Sequence, residues 1–228
     1  MDRSKVLKRW REHYKVVSNA EFPHPRIPRI RPTQGPEGPH QQITLDEVGR
    51  ALKEMKSEKA TGPDDLAVEL WKSHHWSPER WLTRLFNKII EGKETPDDWQ
   101  RSTTIPIWKG KGNLADCANY RPIRLLSHSM KVYERVIANG IREIARVSIN
   151  QCGFVPKCGT IDAIHAARLL IERHREKQKP LHIAFLDLEK AFDRVPHKVI
   201  WYALRDHGVP EEIINWVRLL YQEPRAGR

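Results

Sequence analysis

Apolar residues recur every three or four positions over most of this chain, and the breaks in that rhythm divide it into parts. Leu7, Trp10, Tyr14 and Val17 share one face of a helix expected over residues 4–18. Residues 22–42, FPHPRIPRIRPTQGPEGPHQQ, carry six prolines, which exclude helix interiors and central strands, so an extended linker is expected there. At Thr44 the pattern resumes: Thr44 and Glu47 form a capping box, and Leu45, Val48, Leu52 and Met55 follow at helical spacing. KATGPDDL, residues 59–66, reads as a turn. A helix is expected from Leu66 to about His74, and a second from Pro78 to about Glu91 with Trp81, Leu82, Leu85, Ile89 and Ile90.

The texture then changes. STTIPIWKGKGN, residues 102–113, is β-branched and apolar before a glycine-lysine loop, which predicts a strand and a loop. A long amphipathic helix is expected from Leu125 to about Ala145, and another over 161–176 with Ile161, Ile164, Ala167, Leu170 and Ile171 facing inward. LHIAFLDL, residues 181–188, is almost wholly apolar until Asp187 and reads as a buried strand. Helices over about 197–208 and 211–222 complete the pattern. The fold class is α+β, helix-rich with few strands, and the chain has no internal repeat.

Charge narrows the partners. Forty Lys and Arg against 29 Asp and Glu leave a formal +11, with an isoelectric point near 9.7. Such a balance makes nucleic acid the first expectation, although charge alone does not prove it. Residues 1–10 are charged without an apolar run, unlike a signal peptide, and no stretch approaches the ~20 apolar residues of a membrane span. An intracellular, non-secreted protein without a membrane partner is therefore expected, with cytoplasm and nucleus both open. The three cysteines, Cys117, Cys152 and Cys158, are odd in number and widely spaced, which fits free thiols. Zinc on Cys152, Cys158 and His165 would lack any paired C-x-x-C knuckle and is disfavoured.

The richest chemistry lies in AFLDLEKAFDRVPH, residues 184–197, where an apolar run delivers Asp187 and is followed by Phe192 and Asp193. A carboxylate held at a strand end can give an oxygen ligand to a divalent ion. Taken alone, a strand ending in Asp is more often a solvated cap of the next turn. The full string Asp-x-x-x-Ala-Phe-Asp is more particular, and it resembles the first catalytic motif of the reverse transcriptases of non-LTR, LINE-like retrotransposons. ATGPDDLAVELWK (60–72), TTIPIWKGKGNLADCANYRPIRLLS (103–127) and QCGFVPKCGTIDAI (151–164) resemble successive blocks of the same enzymes, in the family's order. The resemblance spans about residues 44–222, extends to the helix and linker before it, and is nearest the RTE-type elements.

That resemblance implies a partial right-hand polymerase fold. Residues 1–21 would be an N-terminal helix, 22–42 a linker, and 43–228 part of a polymerase domain, with fingers over about 43–180 and the start of the palm over about 181–228. Asp187 would be the first metal carboxylate, and Leu188 would offer its carbonyl to the metal. Phe192 would exclude a 2′-hydroxyl by steric clash. Arg121 would reach the triphosphate, and Lys109 would serve the nucleotide. Lys111, Gln151, Phe154 and Lys157 would face nucleic acid. For an isolated Arg or Lys the solvated-surface reading stands beside each role, and Phe154 reads equally as core. One departure from the family pattern is Pro156-Lys157, where a Gly-Arg pair is usual; Lys157 keeps the charge without arginine's planar fork.

The implied reaction is nucleotidyl transfer with Mg²⁺, an RNA template, a DNA primer or target, and dNTP. Two-metal transfer needs carboxylates for ions ~3.5–4 Å apart. The family's second cluster, an aromatic-Ala-Asp-Asp hairpin after a glycine-glutamine block, does not occur in these 228 residues. Asp64-Asp65 and Asp97-Asp98 lie in proline turns, the latter at a helix start, and neither suits catalysis. The expectation is a chain truncated before the palm is complete and inactive alone. Two alternatives are a non-enzymatic RNA/DNA binder and a relic without a role; oligomeric state is open.

Overall fold

A computed structural model describes residues 2–28, 42–148, 150–155, 158–188, 191–192 and 194–221. Ten elements follow in chain order: α1 (Arg3–Asn19), α2 (Leu45–Glu54), α3 (Val68–Trp71), α4 (Pro78–Gly92), β1 (Thr103–Trp108), β2 (Tyr120–Leu125), α5 (His128–Ile144), α6 (Thr160–Glu176), α7 (His197–Asp206) and α8 (Glu211–Leu220). Two short 3-10 turns, Asp97–Gln100 and Cys117–Asn119, flank the strands.

The core is helical, and local sequence explains its parts. The capping box forms as expected: the Glu47 backbone N–H donates to Thr44 Oγ1 at 3.3 Å, and the Thr44 N–H donates to Glu47 Oε2 at 2.7 Å. α2 then buries Val48, Ala51 and Leu52 against Leu82, Phe86 and Ile89 of α4 and Val132, Tyr133, Val136 and Ile137 of α5. Pro78 starts α4, where a missing N–H costs nothing, and Lys93 ends it in left-handed conformation at φ 53°. α8 adds Ile213, Ile214, Trp216 and Leu219 to the same core. Phe86, Trp99 and Tyr133 make a tight aromatic trio, with ring centroids 5.2–6.2 Å apart.

The GPDD turn is structural. Gly62 lies so close to the chain entering α5 that a Cβ would sit 2.5 Å from the Leu126 carbonyl carbon and the Ser127 nitrogen. Next to it, Ser127 Oγ donates to Asp64 Oδ2 at 2.6 Å, and Ser127 and Ser129 hydroxyls meet at 2.8 Å. Trp99 Nε1 donates to Ser129 Oγ at 3.0 Å, so the turn, the start of α5 and the aromatic trio are one unit.

β1 and β2 pair as an antiparallel hairpin with Thr103 opposite Leu125 and Trp108 opposite Tyr120. β2 was not foreseen, and its formation moves the start of α5 from Leu125 to His128. The helix expected from Leu66 to His74 shrinks to α3.

Two expectations of burial are overturned. α6 forms, started by the Gly159 N–H donating to Asp162 Oδ2 at 2.7 Å, yet none of its residues is buried and Ile161 is 78% exposed. Residues 181–188 form no strand; Phe185 is 90% and Leu186 93% exposed. A strand exists by its ladder, and among the described residues the only paired strands are β1 and β2.

Sequence predicts α1 as a helix cut off by the linker, but it is docked. Trp10 meets Tyr120 of β2 edge-on at 4.9 Å, Arg9 donates to the Ala115 carbonyl at 2.8 Å, and Arg124 donates to Ser18 Oγ at 2.9 Å.

Candidate active site

The hairpin loop is built to hold a rigid shape. Gly110 and Gly112 take φ of 77° and 83°, the left-handed region that side chains disfavour, and a Cβ on Gly112 would lie 2.6 Å from the Asn119 amide. Asn119 donates through Nδ2 to the Asn113 carbonyl at 3.0 Å, and the Tyr120 hydroxyl donates to the Leu114 carbonyl at 3.0 Å. Lys109 closes the loop: its Nζ donates to the Ala118 carbonyl at 2.8 Å and its backbone N–H to the Asn119 carbonyl at 2.9 Å. Its ammonium is thus engaged, although Lys109 is exposed as Lys111 at the tip is. Arg121 stands on β2 opposite Ile107, exposed, and makes no ion pair among the described residues.

Gln151 and Phe154 shape a tight loop. The Gln151 side chain donates to the Gly153 carbonyl at 3.2 Å, and Phe154 is left-handed at φ 58°, a conformation costing a bulky residue ~1–2 kcal/mol. That loop carries the Phe154 ring to Phe192, centroids 5.6 Å apart and planes at 80°. Both rings are otherwise open to solvent, 88% and 82% exposed. Two residues given roles by the sequence resemblance therefore meet in space.

Asp187 and Leu188 end this irregular run, both exposed. Lys157 and Asp193 fall outside the described residues. Among those described, no group of three or more His, Cys, Asp or Glu is arranged to hold a metal, zinc included. The described oxygen donors offer one carboxylate and one carbonyl, which does not fit a two-ion site. Cys152 and Cys158 are neighbours, and the hydrogen bond between their thiols raises the Cys158 pKa above its ordinary value.

Sequence reasoning missed a clasp beside this site. The Phe22 N–H donates to the Arg194 carbonyl at 2.8 Å, and the Arg194 guanidinium lies 4.4 Å over the Phe22 ring. Through α1 the same segment reaches the hairpin, so one stretch of chain touches both the Arg121 strand and the loop after Phe192. A lone Phe ahead of a proline run gives no signal of this in the sequence.

Residues 107–228 match the family described as reverse transcriptase (RNA-dependent DNA polymerase). The chain is 31% identical over 186 residues to a Pol polyprotein from the type-1 retrotransposable element R2 of Nasonia vitripennis, covering 81% of this chain and 17% of that protein. It is 28% identical over 169 residues to the RNA-directed DNA polymerase from mobile element jockey of Drosophila melanogaster, covering 72% and 18%. A transposon TX1 protein of Xenopus laevis is 30% identical over 187 residues, covering 78% and 14%. The chain thus spans less than a fifth of the length of each of these relatives. With the family match extending over more than half of its residues, the chain belongs to the reverse transcriptase (RNA-dependent DNA polymerase) family, and the relatives it resembles are those of non-LTR retrotransposons.

Proposed function

We propose that this chain forms the fingers and the first part of the palm of a right-hand RNA-directed DNA polymerase, working on an RNA template, a DNA primer or target, and dNTP. The observation that carries the reading is the meeting of Phe154 and Phe192, which brings the QCGF loop against the segment following Asp187. In this reading Phe192 lies under the incoming sugar, and its ring rejects a 2′-hydroxyl by clash. Phe154 and Gln151 form the adjoining template-side surface, together with Lys157.

Phosphoryl transfer is largely positioning and charge neutralisation. Arg121, exposed and without an ion-pair partner among the described residues, is the cation for the triphosphate. Lys111 at the loop tip approaches template backbone. Lys109 acts from within the loop, holding its shape while lending positive potential to the nucleotide. Asp187 and the Leu188 carbonyl would be this chain's contribution to holding a divalent ion, Mg²⁺ in this reading, which would supply charge neutralisation only with further carboxylates. Alone, the chain is inactive, because one carboxylate does not hold two ions.

A second reading has one observation in its favour: the hairpin cations Lys111, Arg121 and Arg124 are all exposed. Such a surface binds nucleic acid without catalysis. The two readings separate in a chimera that joins residues 1–221 to the palm and thumb of a related element. Primer extension by the chimera, abolished by Asp187→Ala, supports the polymerase reading; equal extension by wild type and Asp187→Ala sinks the assignment. In the same chimera Phe192→Val should admit ribonucleotides, and unchanged ribonucleotide use would refute the sugar-gate role.

A further inference from the structure

Nearly half of the chain's formal +11 sits on one helix. Within residues 3–15 the cations Arg3, Lys5, Lys8, Arg9, Arg11 and Lys15 accompany a single acid, Glu12. The helix is two-sided. Val6, Trp10, His13, Tyr14 and Val17 form its half-buried face, whereas Lys5, Lys8, Arg11 and Lys15 follow one another along the exposed face, with Glu12 among them. Arg3, Lys5, Lys8 and Arg11 take part in no ion pair among the described residues.

A basic helix face is commonly no more than a solvated surface. Here the opposite face fixes its place. Trp10 stacks on Tyr14 at 5.5 Å and meets Tyr120 at 4.9 Å, and the Tyr14 hydroxyl is buried. Arg9 and Arg124 pin the helix at the Ala115 carbonyl and Ser18 Oγ. Tyr120 adjoins Arg121 in β2, and Ala115 belongs to the loop that presents Lys111. The helix that carries this row of cations is therefore packed against the hairpin that carries Lys111 and Arg121.

We propose that α1 is a phosphate-binding arm, in which Lys5, Lys8 and Arg11 grip the phosphodiester backbone of nucleic acid alongside the hairpin. The proposal rests on the nucleic-acid reading above and adds a separate surface to it. At ~1.5 Å rise per residue, Lys5 to Arg11 spans about 9 Å, enough for about two successive phosphates of one strand. The aromatic face sets the register of the arm against the hairpin, and the basic face supplies the contacts.

The test uses the full chain and fluorescence anisotropy of a labelled 20-base-pair RNA–DNA hybrid and of the same RNA as a single strand, titrated between 50 and 200 mM salt. For the hybrid, K5Q/K8Q/R11Q should weaken binding about tenfold or more at 0.1 M salt and lower the slope of log K against log[salt] by about two, at ~0.9 per phosphate contact. Trp10→Ala removes no charge and should still weaken binding by undocking the arm, with circular dichroism showing the helical content retained. Tighter hold on the hybrid would identify primer–template duplex as the target; tighter hold on the single strand would identify the template. If K5Q/K8Q/R11Q keeps wild-type affinity and slope while K111Q/R121Q weakens binding, the arm is refuted and the hairpin reading stands. Wild-type binding without salt dependence would overturn both.

Discussion

Asp64 is an acid in a glycine-proline turn that sequence alone leaves without a purpose, and its removal gives a sharp test of the fold. Its Oδ2 accepts from Ser127 Oγ at 2.6 Å, and that hydroxyl touches Ser129, which in turn accepts from Trp99 Nε1. Ser127 and Ser129 are buried, 2% and 6% exposed, at the entry to α5. In Asp64→Ala the Ser127 hydroxyl keeps Ser129 and loses its charged acceptor. A hydrogen bond to a charged group contributes ~1.5–3 kcal/mol, and Asp64 is half-exposed, so the loss should be about 2 kcal/mol, near the lower part of that range. For a chain of this size that corresponds to a fall in Tm of roughly 4–8 °C. Asp64→Asn retains an acceptor oxygen without charge and should lose about half as much.

Urea unfolding followed by circular dichroism would measure these losses, in a double-mutant cycle with Ser127→Ala. Because the two residues share one bond, the double variant should lose at least ~1 kcal/mol less than the sum of the singles. Asp97→Ala, at an exposed acid in a 3-10 turn, should stay within ~0.5 kcal/mol of wild type. Asp64→Ala within that same margin, or an additive cycle, would refute the claim that the GPDD turn braces α5.

Three further outcomes are expected. Lys93 ends α4 at φ 53°, so Lys93→Gly should raise stability by about 0.5–1 kcal/mol in the same assay, and any destabilisation would contradict the left-handed cap. Burial, with Lys131 nearby, holds the buried His128 imidazole below its ordinary 6.5, so as pH falls the unfolded chain takes up the proton first. The stability this gives is full above pH 6.5 and is lost as pH drops below it; a profile of Tm from pH 7.5 to 5 should flatten in His128→Gln, and parallel profiles would count against it. Phe22→Ala removes the ring beneath Arg194 and should speed amide hydrogen exchange over residues 191–196 by about tenfold or less, as expected for ~1 kcal/mol of cation–π contact; exchange at the wild-type rate would show that the clasp holds nothing in solution.

Much of the helical core was legible because amphipathic periodicity records a face that is in fact covered. Leu45 to Met55, Leu82 to Ile89 and Met130 to Ile137 carry that record, and the Thr44–Glu47 box marks a helix start that the hydrogen bonds reproduce. β2 escaped notice because YRPIRL mixes proline and arginine with its apolar residues. Pro106 and Pro122 stand opposite one another in the hairpin, a place a two-stranded ribbon permits because each strand has a free edge. Of the site, the residue types were readable but their neighbours were not. Phe154 and Phe192 are brought together by a left-handed turn, Phe22 and Arg194 by the docking of α1, and the Lys109 ammonium is tied to the Ala118 carbonyl. The first two depend on contacts between segments far apart in the chain and the third on the shape of a loop, and periodicity encodes neither.

The two overturned burial expectations share a physical cause that bears on the proposed polymerase reading. Ile161 and Ile164 of α6, with Phe185, Leu186, Leu188 and Phe192, leave six large apolar side chains mostly in solvent. Burying each would contribute ~1.5–3 kcal/mol, far more than a single cap or surface ion pair. Single exposed apolar residues are ordinary, whereas the run Phe185, Leu186, Leu188 and Phe192 flanks Asp187 closely in the chain and is the kind of exposed apolar stretch that a partner surface covers. An apolar run in no ladder among the described residues calls for a neighbouring strand as well as an apolar cover, and a sheet built alongside residues 181–188 would meet both demands. In the proposed reading that neighbour is the remainder of the palm, so the chimera that adds it should convert 181–188 into a protected strand. Slow amide exchange over those residues in the chimera, against fast exchange in the chain alone, is the expected result. Equally fast exchange in both would mean that the sequence LHIAFLDL owes its apolar character to something other than a polymerase sheet.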